Sequence, residues 1–357
     1  MQTFDLAPSL RRFDAWWNGE VLDRPPVRLS IEPSRVLTRP PEPASPRDAW
    51  MDPARAVADG LATLAETDWL GDSAPMYMPN LGPDIAGSLF GCELEFGAST
   101  SWCTHPISSE DDYARLAESE TDFSNPYWLA IEEMTRLSLA CASEGHLTGI
   151  TDIHGATDTL VSLRGPGELC CDLVDIPELV HRALGRLVEG NRAIFKRSRE
   201  LLVEGGQDVS TTWATFLHCG PAYVSSADFL ALISHDMAQE FVRPYLRREW
   251  DMLERSVFHL DGPGALRHLD WLLEEDWIHA IQWVYGAGGG RASDWLEVYR
   301  KIRASGKSIH LLAADAEDAL HVVRELGPQG LWIEIQGSRF PTAGDAELFL
   351  ENLRRVL

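Results

Sequence analysis

The sequence predicts an α/β fold, namely a single TIM-type (β/α)8 barrel with an N-terminal extension. Short apolar runs alternate with stretches of helical period, most clearly from Ser256 to the C-terminus. Such strand–helix units, repeated eight times, close a parallel sheet that is buried on both faces. An open doubly wound sheet is the competing architecture, but no GxGxxG motif follows a predicted strand.

The predicted elements follow this alternation in order. The predicted strands cover 27–31, 74–78, 147–151, 209–213, 256–260, 278–284, 308–312 and 331–335, of which 74–78 has the weakest pattern. The predicted helices cover 53–67, 176–202, 227–254, 264–273, 292–304, 316–326 and 345–356. Gly306-Lys307 and Gly327-Pro328 supply helix stops.

No composition shift divides the chain, so we expect one domain over 1–357. Residues 1–25 are expected to form a helical arm that precedes the first strand. The segment 32–52 contains five prolines, which remove backbone donors and predict an irregular stretch.

The composition excludes several classes of function. The 357 residues include 55 Asp and Glu against 31 Lys and Arg, a formal net charge of −24. Nucleic acids and anionic membranes bind clustered cations, so neither is an expected partner. No apolar run is long enough for a signal peptide or a membrane span, and we expect a cytoplasmic protein. The six cysteines form no CxxC pair, which predicts reduced thiols and no disulfides.

Polar residues follow the predicted strands at their C-terminal ends, where barrel enzymes carry their reactive groups. We expect Asp152, His154, His259 and Asp261 to be catalytic. The expected substrate-binding residues are Trp213, His218, Gln282, Trp283, Tyr285, His310 and Gln336.

Two pairs of Asp and His, Asp152 with His154 and His259 with Asp261, are two residues apart. Alternate residues of a strand end point to the same side, so each pair is able to converge on one ion or one substrate atom. Imidazole and carboxylate suit zinc or a similar divalent cation, and Glu334 is the expected third ligand. The alternative is structural, with Asp261 shaping the turn before a helix.

The strand ends also carry a resemblance. Val-Phe-His-Leu-Asp-Gly-Pro-Gly-Ala from Val257, followed by Ala-Ile-Gln-Trp-Val-Tyr-Gly-Ala-Gly from Ala280, resembles the uncharacterised branch of the uroporphyrinogen decarboxylase superfamily. Asp-Arg-Pro-Pro-Val from Asp23 and Thr-Asp-Ile-His-Gly-Ala-Thr-Asp from Thr151 extend the likeness to most of the chain. The resemblance implies a TIM barrel and is compatible with a homodimer.

That superfamily contains tetrapyrrole decarboxylases and zinc-dependent methyltransferases that exchange methyl groups with corrinoid proteins. The decarboxylase signature Arg-Gln-Ala-Gly-Arg is replaced here by Arg-Leu-Ser-Ile-Glu from Arg28. The methyltransferase zinc motif His-x-Cys is matched by His259-Leu260-Asp261, with Asp in place of Cys, and no Cys occurs after Cys219. A harder site of this kind favours oxygen ligands or another metal.

The residues and the resemblance together leave three hypotheses for the function, of which the first is favoured. The first is a metal-assisted methyltransferase that exchanges a methyl group with a corrinoid carried by a partner protein. The second is a decarboxylase of a small, aromatic or tetrapyrrole acid, with Asp152 or Asp261 as the proton donor and His154 orienting the carboxylate. The third is a non-catalytic barrel that binds a tetrapyrrole or corrinoid.

Overall fold

A parallel sheet forms the centre of the molecule in the computed structural model, which describes residues 5–33, 36–39, 41, 43–142, 145–336 and 339–356. Its six strands lie in the order β1, β12, β11, β10, β9, β8. The strands are β1 Val27–Arg28, β2 Met76–Tyr77, β3 Leu94–Phe96, β4 Ser101–Cys103, β5 Leu147–Thr148, β6 Val209–Ser210, β7 His218–Cys219, β8 Ala222–Ser226, β9 Arg255–Asp261, β10 Ala280–Val284, β11 Ser308–Ala313 and β12 Leu331–Ile335.

Shorter strands continue the wall of the barrel beyond this sheet. Strand β2 pairs in parallel with β5. The amide of Ile150, just after β5, donates to the carbonyl of Thr211, just after β6, at 2.9 Å, and the amide of Asp72 donates to the carbonyl of Val27 in β1 at 2.8 Å. The α/β class and the TIM-type barrel expected from the sequence are confirmed.

Helices surround this wall. They are α1 Leu6–Trp17, α2 Pro46–Trp50, α3 Pro53–Glu66, α4 Ile85–Ser88, α5 Glu110–Glu118, α6 Pro126–Ala140, α7 Ala156–Arg164, α8 Pro166–Asp175, α9 Pro177–Glu204, α10 His235–Phe241, α11 Arg243–Trp250, α12 Leu269–Glu274, α13 Leu296–Ala304, α14 Ala316–Leu326 and α15 Ala343–Arg355. Short 3₁₀ turns cover Asp228–Ala231, Pro263–His268 and Ala292–Trp295. Among the helices in the described ranges, none is long and apolar enough to cross a membrane.

The predicted helix 227–254 is wrong. This stretch contains a 3₁₀ turn followed by two helices, α10 and α11, and Pro244 lies in the first turn of α11. Strand β8, directly before it, was not predicted. All five residues of β8 are buried, so the run shows no alternation of apolar and polar side chains. The expectation of an irregular segment over 32–52 is also wrong at one place, because α2 lies within it.

The absence of disulfides expected from the sequence is wrong at one position. Cys92 and Cys103 are bonded, with their Cα atoms 5.9 Å apart. The antiparallel hairpin of β3 and β4 brings the two cysteines together, since Leu94 is opposite Cys103 in the register. Their separation of 11 residues gave no motif from which this pairing could be read.

Helix α1 closes the end of the barrel at which the central strands begin. The indole of Trp16 donates to the carbonyl of Ile309 at 3.1 Å, and Ser308 donates to the carbonyl of Trp16 at 2.5 Å. The rings of Phe13 and Trp16 pack edge-on against Trp332 at centroid distances of 5.2 and 5.3 Å. These aromatic groups fill this end of the barrel and leave the opposite end for ligands.

The buried carboxylate of Asp72 ties α1 to the first strand. It accepts hydrogen bonds from Ser9 at 2.8 Å, Arg12 at 3.1 Å, Arg24 at 2.5 Å and the backbone amide of Val27 at 3.0 Å. Both Arg24 and Asp72 are 2% exposed. Every oxygen of this carboxylate is therefore paired, as a buried charge requires.

We expect Asp72→Ala to lower the free energy of unfolding by about 3–5 kcal/mol, because it leaves the Arg24 guanidinium buried without its counter-charge. Urea titration followed by tryptophan fluorescence measures the loss. The matched control is Glu297→Ala, which removes one of the two carboxylate partners of Arg300 on the exposed surface and should change stability little. Equal stability of Asp72→Ala and wild type would contradict the role given to this ion pair.

Candidate functional site

Two predicted residues converge with a third at the C-terminal end of the central sheet. His259 and Asp261 end strand β9, and Asp228 starts the 3₁₀ turn that follows β8. One ligand atom of each of these three residues lies within 4.8 Å of the others. We call this group the ligand cluster. It is the one such group of three or more His, Cys, Asp or Glu side chains within the described parts of the chain.

The carboxylates of the ligand cluster repel each other. Burial raises the pKa of Asp261, and the nearby charge of Asp228 adds to this rise, while His259 and the amide of Gly262 oppose it. Two carboxylates in a half-buried site are stabilised by a shared proton or by a cation. The cluster therefore has the electrostatic character of a cation site.

A row of hydrogen-bonded side chains runs from the ligand cluster across the barrel interior, with one residue on each of five neighbouring strands. We call it the polar row, and its members are His259 on β9, Gln282 on β10, His310 on β11, Glu334 on β12 and Arg28 on β1. The distances are 2.8 Å from Gln282 Nε2 to His310 Nδ1, 3.1 Å from His310 Nε2 to Glu334 Oε2 and 3.2 Å from Arg28 Nη1 to Glu334 Oε1. His259 Nδ1 is hydrogen-bonded to Gln282 Oε1.

The middle of the polar row is buried away from solvent. His310 is fully buried and stacks on Trp332 at a centroid distance of 3.5 Å. Burial lowers the pKa of His310, although its bond to Glu334 acts in the opposite direction. Burial also works against ionisation of Glu334, but the hydrogen bond from His310 and the charge of Arg28 outweigh it and lower the pKa of this carboxyl. A neutral His310 next to a charged Glu334 follows.

The expected third metal ligand, Glu334, is not part of the ligand cluster. It lies three strands from His259 and is bonded to His310 and Arg28. Asp228 instead brings a ligand atom within 4.8 Å of those of His259 and Asp261. Asp228 was not predicted as a site residue. Since strand β8 was not recognised, Asp228 did not follow a predicted strand and lay within the predicted helix 227–254.

The second predicted pair, Asp152 and His154, lies beside the ligand cluster. His154 Nε2 is 3.5 Å from Asp152 Oδ2. Burial disfavours protonation of His154, yet the carboxylates of Asp152, Asp158 and Asp228 outweigh it and raise its pKa to about 10. His154 is thus an imidazolium at neutral pH. Asp228 interacts with both His154 and Asp261, so the two predicted pairs belong to one region.

Asp158 ends the pattern that starts at Thr151, but it is not among the predicted site residues. Burial and the charge of Asp228 raise its pKa to about 6, whereas His154 and two backbone amides lower it. Its oxygens accept hydrogen bonds from the amides of Asp228 at 2.9 Å and Phe229 at 3.0 Å. Asp158 therefore holds the turn that presents the Asp228 side chain.

A cavity of about 280 Å³ opens next to this region, lined by Asp84, His105, His154, Asp158, Asp228 and Leu232 among others. Larger grooves of about 690 and 540 Å³ lie on the outside along α9 and beside α1. The smaller cavity contacts the ligand cluster through Asp228.

The other predicted substrate-binding residues are scattered. The ring of Trp213 packs edge-on against His259 at 5.1 Å, so this residue belongs to the site. His218 lies at the closed end, bonded to Glu254 and packed against Trp17 of α1. Trp283 is fully buried on the opposite side of β10 from Gln282, against Trp295.

Two further predicted residues lie at the strand ends. Tyr285 donates its hydroxyl to the carbonyl of Leu312 at 3.0 Å. Gln336 is exposed, and its backbone amide donates to the carbonyl of Ala313 at 2.9 Å. Neither of these two hydrogen bonds involves a residue of the ligand cluster or the polar row.

The fold of this site is found in known proteins. No protein-family profile and no curated protein sequence matches the chain. The structure is similar to that of a methyltransferase from Methanosarcina mazei. The TM-score is 0.60 at 14% identity, over 97% of this chain and 98% of that chain.

A B12-independent methionine synthase from Shewanella sp. W3-18-1, in complex with selenomethionine, matches with a TM-score of 0.40 at 11% identity, over 92% of each chain. A TM-score this low supports no conclusion about the fold. The likeness to the Methanosarcina protein confirms the barrel fold that the sequence resemblance implied, and at this identity it concerns the fold alone.

A buried carboxyl group fixes the turn that carries His154. Glu249 on α11 is fully buried and accepts hydrogen bonds from the amide of Ala156 at 3.0 Å and from Asn191 Nδ2 at 2.7 Å. Asn191 Nδ2 also donates to the carbonyl of His154 at 2.8 Å. Burial raises the pKa of Glu249 from 4.5 to about 8, against the effect of these donors.

This pKa predicts that stability falls as the pH rises from 4.5 to about 8. In that window the unfolded chain releases the proton of Glu249, whereas the folded chain keeps it, so the folded state binds more protons. The contribution is at most roughly 1.4 kcal/mol per pH unit. Glu249→Gln should flatten the slope of unfolding free energy against pH, and the exposed control Glu347→Gln should not. An unchanged slope in Glu249→Gln would count against this assignment.

Proposed function

We propose that the protein is a barrel enzyme that transfers a methyl group, with a divalent cation held by Asp228, His259 and Asp261. The observation that carries this proposal is the convergence of three ligand atoms within 4.8 Å at the C-terminal end of the central sheet. Catalytic metal sites use three protein groups and keep one position open for water or substrate. Barrel enzymes carry their chemistry at this end.

The donor set fits a hard cation. Asp228 and Asp261 offer oxygen, and His259 offers the nitrogen that is not bonded to Gln282. Cys219, the last cysteine of the sequence, lies on β7 near the closed end of the barrel, so no thiolate joins the cluster. Such a site favours an oxygen atom of the substrate over a thiol.

The residues around the cluster have separable tasks. A cation bound there would act as a Lewis acid on a substrate hydroxyl, carboxylate or methoxy oxygen. Trp213 packs against the His259 ring and limits its rotation. The imidazolium of His154 is placed to donate a proton to an atom that becomes basic during the reaction.

A corrinoid on a partner protein is the methyl carrier that we propose. This part rests on the sequence resemblance, and the fold shared with a methyltransferase supports it. Since α1 fills one end of the barrel, the partner would approach the end that bears the ligand cluster. The substrate would enter through the same end.

We expect the purified protein to bind zinc at one site per chain, as measured by calorimetry with zinc chloride and by elemental analysis. His259→Ala, Asp228→Asn and Asp261→Asn should each weaken binding at least tenfold, because each removes a ligand or its charge. His321→Ala, which changes an exposed histidine on α14, is the control and should bind as wild type does. Stoichiometric binding that survives all three substitutions would refute the ligand cluster as the metal site.

Methyl transfer is tested with free methylcobalamin and a panel of alcohols, carboxylic acids and thiols, and in reverse with cob(I)alamin and methoxy-aromatic compounds. We expect a change in the visible spectrum of the corrinoid only with oxygen substrates. His259→Ala should lower the rate about 100-fold or more, equivalent to ~3 kcal/mol. A zinc-loaded protein that leaves both corrinoids unchanged with every substrate would count against methyl transfer.

The environment of His154 favours one alternative, a decarboxylase. A protonated His154 beside a cavity is suited to orient a substrate carboxylate, and Asp152 or Asp261 would supply the proton to the carbon that loses carbon dioxide. Carbon dioxide release from aromatic and tetrapyrrole acids tests it. Release that is abolished in His154→Ala and kept in His259→Ala would favour the decarboxylase over the methyltransferase.

A further inference from the structure

The hydrogen-bond partners in the polar row determine which ring nitrogens of its two histidines carry a hydrogen. Glu334 is bonded to Arg28 at 3.2 Å, and this ion pair keeps it a carboxylate. A carboxylate accepts hydrogen bonds and donates none. The nitrogen that faces it, His310 Nε2 at 3.1 Å, must therefore carry a hydrogen and donate.

The hydrogen on His310 Nε2 determines the state of the other ring nitrogen, Nδ1. The ring is fully buried between strands and stacked on Trp332, and burial favours its neutral form. A neutral imidazole with its hydrogen on Nε2 has a lone pair on Nδ1. The partner of that lone pair, 2.8 Å away, is the side-chain amide of Gln282, which must present its NH₂ group.

The orientation of the Gln282 amide determines which of its atoms faces His259. Because the amide group is rigid, an NH₂ group that faces His310 turns the Oε1 atom toward His259. An oxygen acceptor requires that His259 Nδ1 carries the hydrogen. The backbone register supports this order, because Gln282 is the Cα partner of both His259 on β9 and His310 on β11.

We propose that Glu334 and His310 are positioning residues that act through Gln282 to fix a hydrogen on Nδ1 of His259, which leaves Nε2 outside the polar row. Nε2 is then the nitrogen left to bind a cation together with Asp228 and Asp261. The inference rests on the proposed function for its purpose, but the tautomer itself is defined in the metal-free protein. A glutamine is required in the centre, since it donates at one end and accepts at the other.

The tautomers are read by NMR of the metal-free full-length protein labelled with ¹⁵N-histidine, in which two-bond ¹H–¹⁵N correlations distinguish protonated from bare ring nitrogens. Signals of His259 are assigned by their loss in His259→Ala. We expect hydrogen on Nδ1 of His259 and on Nε2 of His310. A His259 without a hydrogen on Nδ1, or a doubly protonated His310 at neutral pH, would overturn the proposal.

Substitutions of Gln282 separate positioning from packing. Gln282→Leu removes both hydrogen bonds, so His259 should sample both tautomers and zinc affinity should fall about 10–100-fold. Gln282→Glu keeps an acceptor toward His259, so it should preserve the Nδ1–H tautomer while His310 gains a second proton. Gln329→Leu, the same change at an exposed position, should alter neither signal.

Glu334→Gln tests the far end of the row. In Glu334→Gln the amide oxygen would accept from Arg28, which only donates, and the NH₂ group would face His310 Nε2, so the preferred tautomers of both His310 and His259 should be reversed. Unchanged tautomers in Gln282→Leu and Glu334→Gln would refute a positioning role. If the wild-type protein binds no zinc, the metal proposal fails, and the NMR spectra still decide the tautomer of His259.

Discussion

Satisfying buried polar groups inside a closed sheet is the constraint on which this site depends. Below the polar row, the barrel is filled by Trp332 and by the aromatic side chains of α1, so no solvent reaches His310 from that side. Each donor in the row therefore needs an acceptor on the next strand, and a missing partner costs about 1–3 kcal/mol. The residues of the row are constrained together, because a change at one of them alters whether its neighbour must supply a hydrogen-bond donor or an acceptor.

The same constraint separates two kinds of residue at the open end. The central residues of the row, Gln282, His310 and Glu334, have one hydrogen-bond partner on each side. Asp228 is exposed and belongs to a turn that Asp158 holds through backbone amides. The ligand cluster thus combines a rigid imidazole with a carboxylate that is able to adjust, which suits a site that must accept a ligand and release it. His154, fixed through Asn191 and Glu249, faces it with the opposite charge.

The sequence predicted the C-terminal half of the barrel well, because strands β9 to β12 carry continuous apolar runs and the helices α13 and α14 are followed by the stops Gly306 and Gly327. It failed at β8, where five buried residues without alternation precede an Asp that starts a 3₁₀ turn. It found His259 and Asp261 from their spacing, but the spacing says nothing about which other strand end is nearest. Glu334 was chosen for its place at a strand end, and only the register reveals that Arg28 and His310 surround it. The pairing of Cys92 with Cys103 depended on a hairpin that no local motif announced.

The pairing of β1 with β12 has a consequence for how the chain reaches this structure. Val27 is the register partner of Ile333. The wall of the barrel therefore closes only after the last strand, β12, has been synthesised and has paired with the first. During synthesis, the ribosome releases the aromatic face of α1 long before the strands that cover it exist. The tryptophan-rich helix α1 therefore lacks its partners Ile309 and Trp332 until most of the chain has been made.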